Sequence, residues 1–295
     1  MNILLTGASG FLGQILFKSL SQNHNIDTIG RSKDAHIQAD LTDFNQKVLE
    51  DYDLLIHNAG KAHVISKNDE QVQDFFKVNV EGTKNLMNNL KGKLGHLVFI
   101  STVAVYGDYQ GTAFTEDDLE KGNTPYASSK LEAERYIENW CKENNVKFTI
   151  LRLPLVAGKN PPGNLGAIIQ SIKSGYYFRV GKGRARRSMV LGTDVANLIA
   201  SGKLTQGKFN LTDGHHPQYR EIDSLIGQKF NKSIRSIPKI LLQLPALIGN
   251  FLPGFPINSY RLEKLTSDAI VSDAKARKEL SWSGRSVVEH PEEWL

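Results

Sequence analysis

Short apolar runs alternate with longer helical stretches through the first half of this chain. The runs, rich in β-branched residues, predict five strands at residues 2–5, 26–29, 54–57, 96–100 and 148–151. Between them, apolar residues spaced three and four apart predict helices over residues 11–20, 70–90 and 126–141. Strands that alternate with helices build a parallel sheet covered on both faces, so the sequence predicts an α/β fold with a doubly wound sheet.

The second half of the chain is less regular. Pro161 and Pro162 predict a loop soon after Pro154, and short apolar runs then mix with helical ones. Ligands of open α/β sheets bind beyond the carboxyl ends of the strands, and something must close over them. We therefore expect one domain over residues 1–155 and mostly a smaller C-terminal lobe over residues 156–295, with some segments returning to the first domain.

One apolar stretch, residues 240–252, lies outside the predicted sheet. It is shorter than a helix that spans a bilayer, and Pro245, Gly249 and Asn250 interrupt it. We expect a helix that packs against the C-terminal lobe. Peripheral attachment to a membrane is the alternative.

The composition excludes several classes of protein. The 295 residues are 40% hydrophobic and 23% charged, and Cys141 is the one cysteine, which rules out internal disulfides and a cysteine-rich zinc site. The start at Met1 lacks the pattern of a signal peptide, so we expect a cytoplasmic protein without a transmembrane segment. Most basic residues behind the net charge of +5 are scattered, which disfavours nucleic acid as a partner. His215 and His216 lack metal-ligand spacing to other candidates, so we expect no metal.

A glycine-rich turn joins the first predicted strand to the first predicted helix. Its glycines are spaced by three, which suits a tight turn, a close approach of backbone to ligand, and close packing of helix on strand. The helix N-terminus adds backbone N–H groups that favour negative charge. The pattern predicts a dinucleotide pyrophosphate site on a Rossmann-type domain. Its predicted cofactor-binding residues are Gly7, Ser9, Gly10, Phe11, Leu12 and Gly13.

The end of the second predicted strand bears on the choice of dinucleotide. An acidic residue there would bond the adenosine ribose, and a basic one would accept a 2′-phosphate. Gly30 occupies the expected acidic position, Asp27 lies too early, and Arg31 and Ser32 follow. We therefore favour NADP over NAD. The alternative is that Arg31 is a solvated charge that stacks on adenine.

Further positions complete the predicted cofactor site. They are Asp40 and Leu41 near the adenine amino group, and Asn58, Ala59 and Gly60 on the adenosine side after the third predicted strand. Asn79, inside the second predicted helix, is included among the cofactor contacts. A structural hydrogen bond from Asn79 to a neighbouring strand is the alternative.

Tyr126 and Lys130 lie four residues apart at the start of a predicted helix, so their side chains share one face. A nearby ammonium stabilises a phenolate and pulls the tyrosine pKa from about 10 toward the working pH. Tyr126 is therefore the predicted acid and base, and Lys130 the group that tunes it. At the carboxyl end of the fourth predicted strand, Thr102 is expected to bond the substrate oxygen beside Tyr126, with Ser101 as the alternative.

Taken in order, these motifs resemble the extended short-chain dehydrogenase/reductase family, in its sugar-nucleotide epimerase, dehydratase and ketoreductase branch. The resemblance covers nearly the whole chain, at residues 6–13, 57–60, 79–83, 101–107, 126–130, 152–154, 187–190 and 194–196. It implies NAD(P)-dependent hydride transfer at a sugar carbon, with Thr102, Tyr126 and Lys130 as the catalytic set.

The same resemblance implies where ligands make contact. Pro154 would form a wall for the nicotinamide, and His63 would reach the sugar. Asn164 and Arg187 would hold the diphosphate of the nucleotide-sugar substrate, since the planar fork of an arginine grips phosphate oxygens. Membership of an exposed basic cluster is the alternative for Arg187. Family members are often dimers, so a homodimer is one expectation.

The residues after Thr102 separate the reactions of the family. Dehydratases carry an Asp-Glu pair there, whereas Val103 and Ala104 cannot move protons, so 4,6-dehydration is set aside. Arg31 favours reduction of a 4-keto sugar nucleotide with NADPH, for surface polysaccharide synthesis. The alternative is an NAD-dependent nucleotide-sugar 4-epimerase, and an alternative of another class is a non-catalytic, redox-responsive NADP-binding regulator.

Overall fold

A computed structural model describes residues 1–62, 68–107, 113–252 and 257–295. Within these residues, seven parallel strands form one sheet. From one edge to the other, and numbered in chain order, they are β10 (Gly207–Asn210), β6 (Lys147–Leu153), β5 (Leu94–Thr102), β4 (Tyr52–His57), β1 (Asn2–Thr6), β2 (Asn25–Gly30) and β3 (Ile37–Gln38).

The strand order reverses between β1 and β4. The chain runs outward from β1 to β3 on one side and from β4 to β6 on the other, as in a doubly wound sheet. Thr6 pairs with His57 at the carboxyl ends of these two strands. Because ligands of such sheets bind where the order reverses, this pair marks the crevice in which a dinucleotide would lie.

Helices cover both faces of the sheet. Side chains alternate along each strand, so Ile3 and Leu5 join one core cluster and Leu4 joins the other. The first cluster includes residues of α1 (Phe11–Leu20) and α6 (Gly192–Ala200). The second includes residues of α3 (Gly82–Asn89) and α4 (Pro125–Glu143). This two-sided burial confirms the predicted α/β class.

The second half of the chain has a core cluster of its own, around Met189, Ile222 and Trp294. Its remaining strands form two parallel pairs, β7 (Leu155–Ala157) with β9 (Met189–Leu191), and β8 (Phe178–Val180) with β11 (Arg235–Ile237). Its remaining helices are α5 (Gly163–Lys173), α7 (Tyr219–Lys229), α8 (Lys239–Gly249), α9 (Ser259–Thr266) and α10 (Ala274–Glu279). β10 returns from this half to the edge of the main sheet. The division at residue 155 stays a prediction.

Two predicted helices differ from the structure. The helix predicted over residues 70–90 is interrupted: α2 (Asp69–Phe76) passes through one π turn, Lys77–Glu81, into α3. The segment 240–252 forms most of α8 and the turn after it, and its apolar face is less buried than predicted. Ala246 is its buried residue, and seven large apolar side chains between positions 240 and 252 are exposed. By contrast, the helix predicted over residues 11–20 is confirmed as α1.

Candidate active site

The turn between β1 and α1 requires its glycines. Gly7 has φ +69°, and a Cβ atom there would lie 2.8 Å from the Cα of Ala59. A Cβ on Gly13 would lie 1.9 Å from the Gly7 carbonyl oxygen, so helix and turn could not pack as they do. The same carbonyl accepts hydrogen bonds from the Gly10 amide and the Asn58 side chain, both at 3.1 Å. The turn is therefore locked against the end of β4.

The backbone N–H groups at the N-terminus of α1 have no acceptor within the helix or from a capping side chain. Among the described residues, no side chain caps this helix, and its first turn holds no acidic residue. Ser9 and Gly10 are exposed there, Phe11 is half-buried, and Leu12 is buried in the core. The first amides of a helix have no intrahelical acceptor, so this end suits a phosphate oxygen.

A buried chain of hydrogen bonds runs below the turn. The Ala59 amide donates to Thr6 Oγ1 at 3.0 Å, and Thr6 Oγ1 lies 2.8 Å from His57 Nδ1. His57 Nε2 lies 2.8 Å from Thr83 Oγ1, which donates to the Asn79 carbonyl at 2.7 Å. Because the Thr83 hydroxyl donates its hydrogen to the Asn79 carbonyl, Thr83 Oγ1 must accept from His57 Nε2. His57 Nδ1 then carries no hydrogen and accepts from the Thr6 hydroxyl. Every member of the chain is thus satisfied with His57 neutral.

Asn79 connects this chain to the catalytic helix. Its amide nitrogen donates to Ser129 Oγ at 2.9 Å and to the Lys61 carbonyl at 3.1 Å, and its Oδ1 accepts from the Lys61 amide at 2.7 Å. Ser129 lies one residue before Lys130 on α4. A Cβ on Gly60 would meet Asn79 Oδ1 at 3.0 Å and Lys130 Nζ at 3.9 Å. Asn79 is therefore a structural bridge between the loop after β4 and α4, rather than a bond to a neighbouring strand, and its contact with a cofactor stays a prediction.

The predicted catalytic residues come together at the carboxyl end of β5. Thr102 is the last residue of that strand, and its side chain lies close enough to Tyr126, the second residue of α4, to lower the pKa of the Tyr126 hydroxyl. Thr124 caps α4 by accepting from the Ala127 amide at 3.2 Å, and Pro125 occupies its first position. Lys130 Nζ donates to the Ile100 carbonyl at 2.7 Å. The cap and the strand end thus fix the hydroxyl pair and the ammonium relative to each other.

The pKa values differ from the expectation that Lys130 lowers the pKa of Tyr126. Burial raises the pKa of Tyr126 to about 12, and the hydrogen bond with Thr102 opposes part of that rise. Burial lowers the pKa of Lys130 to about 7, against the opposing influence of the Glu134 carboxylate. Lys130 Nζ also lies 3.8 Å from the centroid of the Phe99 ring. As placed here, the ammonium is held by β5 rather than by the phenol.

An ion network that the sequence does not predict lies behind the predicted catalytic residues. Ser101 donates to Glu134, so its side chain is committed there and Thr102 is the hydroxyl beside Tyr126. Arg152 and Glu134 are both fully buried, and Arg152 Nη2 lies 2.6 Å from Glu134 Oε2. The signal in the sequence was an arginine inside the apolar strand β6. Its partners could not be read because they lie on other elements.

The region predicted to select the cofactor is open. Arg31 has an 83% exposed side chain, and its Nη1 lies 4.0 Å from Asp40 Oδ2. The Thr42 amide is the main cause that holds the pKa of Asp40 below its usual value, and Arg31 is a minor one. Leu41 is buried in the core. A Cβ on Gly30 would meet nothing within 4 Å, so there is room for a side chain at the end of β2.

The predicted nicotinamide contact Pro154 and the predicted substrate contacts lie on separate segments of the chain. Pro154 follows Leu153, which pairs with Thr102, so it lies beside the catalytic strand end. Asn164 is exposed at the second position of α5. His63 lies outside the described residues.

Arg187 is buried and is therefore not part of an exposed basic cluster, which was the alternative for this residue. It is 8% exposed, and its Nη1 donates to the Arg186 carbonyl at 2.7 Å and to the Ser267 carbonyl at 2.6 Å. Nη2 donates to the Lys264 carbonyl, and Nε donates to the Tyr219 hydroxyl at 3.2 Å. These contacts turn the guanidinium toward the backbone at the C-terminal end of α9. A phosphate would have to compete with those carbonyls.

Known proteins share this architecture. UDP-glucose 4-epimerase of Vibrio cholerae is 25% identical over 95% of this chain and 90% of its own length. N-acetyl-alpha-D-glucosaminyl-diphospho-ditrans,octacis-undecaprenol 4-epimerase of Escherichia coli O157:H7 is 26% identical over 80% of this chain and 74% of its own. The crystal structure of UDP-glucuronic acid 4-epimerase from Bacillus cereus in complex with NAD superposes with a TM-score of 0.78 at 20% identity, over 100% of this chain and 97% of that one.

The model of the NAD dependent epimerase/dehydratase family matches residues 3–201, which include the glycine turn, the strand end at Thr102 and the helix of Tyr126. The match covers more than half of the 295 residues. The chain therefore belongs to the NAD dependent epimerase/dehydratase family, as an enzyme of the extended short-chain dehydrogenase/reductase type.

Proposed function

We propose that this protein is a nucleotide-sugar 4-epimerase in which Tyr126 exchanges a proton with the C4 hydroxyl of the sugar. The observation that carries the proposal is the convergence of Thr102, at the end of β5, and Tyr126, near the start of α4, with Lys130 one helical turn further along α4. Two relatives that align with most of this chain are named 4-epimerases, which favours this reaction over the 4-keto reduction that the sequence put first. The substrate class that these names suggest is a sugar on a diphosphate, with UDP-hexoses foremost.

The residues fit a nicotinamide dinucleotide. The uncapped amides of α1, the tight turn at Gly7 and the close approach allowed by Gly10 suit a pyrophosphate. Asn58 and Gly60 line the same crevice at the end of β4. When bound, the nicotinamide supplies the hydride acceptor and donor for the sugar carbon.

The protein's own groups handle the proton. Tyr126, with a pKa of about 12, holds its proton firmly and suits protonation of a forming alkoxide. To take a proton in the opposite direction it needs a positive charge nearby. Lys130 has three donor hydrogens, of which the Ile100 carbonyl occupies one, so two remain for the phenolate and a ligand hydroxyl. Thr102 steadies the reacting oxygen beside Tyr126.

The contacts to the nicotinamide and to the substrate are assigned from where Pro154 and Asn164 lie in the fold. We assign Pro154 to the nicotinamide wall, because it lies beside the strand end of Thr102, and Asn164 to the diphosphate, because it is exposed at the start of α5. Val103 is buried and, with Ala104, supplies no acid for eliminating water, which disfavours dehydration. His63 as a sugar contact, Arg187 as a diphosphate contact, a cytoplasmic location and a homodimer stay predictions.

The test is whether the protein interconverts two nucleotide-sugar epimers without a net oxidation of the sugar. The purified protein is heated to release any bound nucleotide for mass spectrometry, and the unheated protein is incubated with UDP-glucose while UDP-galactose is followed by NMR. We expect a 4-epimer to accumulate without added cofactor and without a lasting change at the absorbance of reduced nicotinamide. Stoichiometric consumption of NADPH with 4-keto sugar nucleotides, and no epimer, would contradict the proposal.

One observation favours a 4-keto reductase as the second candidate. The end of β2 carries Gly30 and the exposed Arg31 where an acidic residue would bond the NAD ribose. A net reductase must exchange its cofactor in each cycle, and a 2′-phosphate beside Arg31 would mark NADPH. A comparison of the dissociation constants of NADPH and NADH decides whether this position selects the phosphate. Retention of both Tyr126 and Lys130 argues against the redox-responsive regulator.

A further inference from the structure

The helix α8 presents a large apolar surface to solvent. Ile240, Leu244 and Phe251 are 72%, 68% and 84% exposed. We define the α8 apolar surface as these three residues together with Leu241, Leu247, Ile248 and Leu252, all of them exposed. Isolated exposed apolar residues are normal, but seven in one short segment mark an interaction site.

The exposed residues share one face because of helical spacing. Positions 240, 244, 247 and 248 fall along one side at about 100° per residue, and Ala246 on the opposite side is buried, while Phe251 and Leu252 follow the end of the helix. Lys239, Gln243 and Asn250 form a polar edge along one flank of that face by the same geometry. The apolar face of a helix is normally buried, so the outer face of α8 lacks a cover.

The charge around this surface is strongly one-sided. Between residues 230 and 265 the sequence has five basic residues and one acidic residue, Glu263. The basic residues are Lys232, Arg235, Lys239, Arg261 and Lys264, all exposed. The helix itself carries no acidic residue. The chain segments on either side of the apolar surface are therefore predominantly basic, and Lys239 begins α8 itself.

A second helix extends the surface and is fixed to α8. Asn250 donates to Ser259 Oγ at 2.9 Å and accepts from the Ser259 amide at 3.0 Å, which joins the end of α8 to the start of α9. On α9, Tyr260 is 45% exposed, and Lys264 Nζ lies 4.2 Å from the centroid of its ring. An aromatic ring with an adjacent ammonium suits the boundary between water and acyl chains.

We propose that the α8 apolar surface docks onto an anionic lipid surface, with the helix parallel to the bilayer. No helix among the described residues is long and apolar enough to cross a membrane, so α8 would lie in the interface. Apolar side chains would enter the headgroup boundary while the basic residues meet lipid phosphates. The inference goes beyond the proposed function and does not depend on it.

Charge separates this occupant from a second copy of the chain. A two-fold contact through α8 would bring together two copies of the same predominantly basic segment, with no acidic residue of α8 to offset them. An anionic bilayer instead satisfies both the apolar face and the basic residues.

The test is sedimentation of the full chain with lipid vesicles. Wild type is mixed with vesicles of phosphatidylcholine alone and with vesicles that also contain phosphatidylglycerol. We expect binding to the anionic vesicles that weakens with added salt. The double substitution Leu244→Gln/Phe251→Gln should lower the partition coefficient about tenfold or more, since it removes two large apolar side chains. Lys239→Gln should lower it roughly fivefold.

Matched controls separate a docking surface from general effects. Leu49→Gln changes a similarly exposed leucine, 68% exposed, on another part of the protein, and Lys203→Gln removes an exposed lysine outside this basic segment. Both should bind vesicles like wild type, and all variants should keep their circular dichroism and cofactor binding. Wild type that ignores anionic vesicles, or an α8 variant that binds like wild type, overturns the proposal. So does light scattering that shows a dimer which only the α8 substitutions dissociate.

Discussion

At the scale of single residues, burial sets the protonation states at the site. Tyr126 and Lys130 both have pKa values shifted toward the neutral form, to about 12 and about 7, because burial penalises a phenolate and an ammonium alike. Charging either Tyr126 or Lys130 alone in this buried site costs free energy. Proton transfer from Tyr126 therefore becomes favourable when a charged Lys130 faces the phenolate, since each charge then compensates the other.

Tyr126→Phe removes the hydroxyl and leaves the ring. We expect kcat to fall by about 10²-fold to 10⁴-fold, the range for loss of a general acid, while the dissociation constant of the cofactor changes little. Steady-state kinetics and fluorescence titration of the cofactor measure the two effects. Tyr136→Phe, on the same helix, is the control and should keep wild-type turnover. A Tyr126→Phe enzyme with most of its kcat would show that another group moves the proton.

His57 should make the fold sensitive to acid. Burial, aided by the positive charge of Lys130, lowers the pKa of His57 to about 3, whereas the unfolded ring has a pKa near 6.5. The stability that His57 contributes is therefore fully present above pH 6.5, and is lost as the pH falls toward 3, by up to about 1.4 kcal/mol per pH unit. We expect the Tm of wild type to drop over this window and the Tm of His57→Gln to drop less. His96→Gln, at a less buried histidine, should change the slope by a smaller amount.

At the scale of elements, local signals and tertiary contacts contribute differently. The bounds of α1 could be predicted because the glycine turn, the apolar spacing and the end of the helix all agree. The π turn at Lys77–Glu81 could not, since helical spacing continues through it. The bonds of Asn79 to Lys61 and Ser129 hold that turn, and they join residues 18 and 50 positions apart in the sequence. The hydroxyls at the end of β5 were predictable from strand polarity, whereas the Lys130 bond to Ile100 was not.

Gly30→Asp should shift cofactor preference at the end of β2. A Cβ there meets nothing within 4 Å, so the substitution should fold normally. A carboxylate would bond a ribose hydroxyl and repel a 2′-phosphate, so the ratio of the NADP to the NAD dissociation constant should rise about tenfold or more. Isothermal titration with both cofactors measures this ratio. Gly30→Asn, similar in size and uncharged, should change it much less, and an unchanged ratio in Gly30→Asp would place the adenosine ribose elsewhere.

At the scale of the whole molecule, buried charge ties the sheet to the catalytic helix and to its own edge. Arg152 of β6 contacts Glu134 of α4 and Glu120 of the preceding loop, and Glu120 accepts from Lys208 of β10 at 3.1 Å. The sequence predicts the sheet, because strand patterns are local. It does not predict this network, because its members lie on four separate segments and pair only after the sheet has formed. The sequence left two alternatives for the segment 240–252, packing against the lobe or attachment to a membrane, for a related reason: an apolar pattern shows that burial is favourable, but not which partner buries it.

Removing one charge of the Arg152–Glu134 pair should lower the free energy of unfolding more than replacing both charges together. Arg152→Met leaves the fully buried Glu134 carboxylate without its guanidinium, so we expect a loss of about 3–5 kcal/mol in the free energy of unfolding. Arg152→Met/Glu134→Met also removes the stranded charge, so the double variant should be more stable than Arg152→Met alone. Urea unfolding of the single and double variants measures the coupling. Lys84→Met breaks an exposed pair with Glu81 and should cost less than about 1 kcal/mol. If the changes in the free energy of unfolding from Arg152→Met and Glu134→Met simply add in the double variant, Arg152 and Glu134 stabilise the fold independently, and neither charge compensates the other.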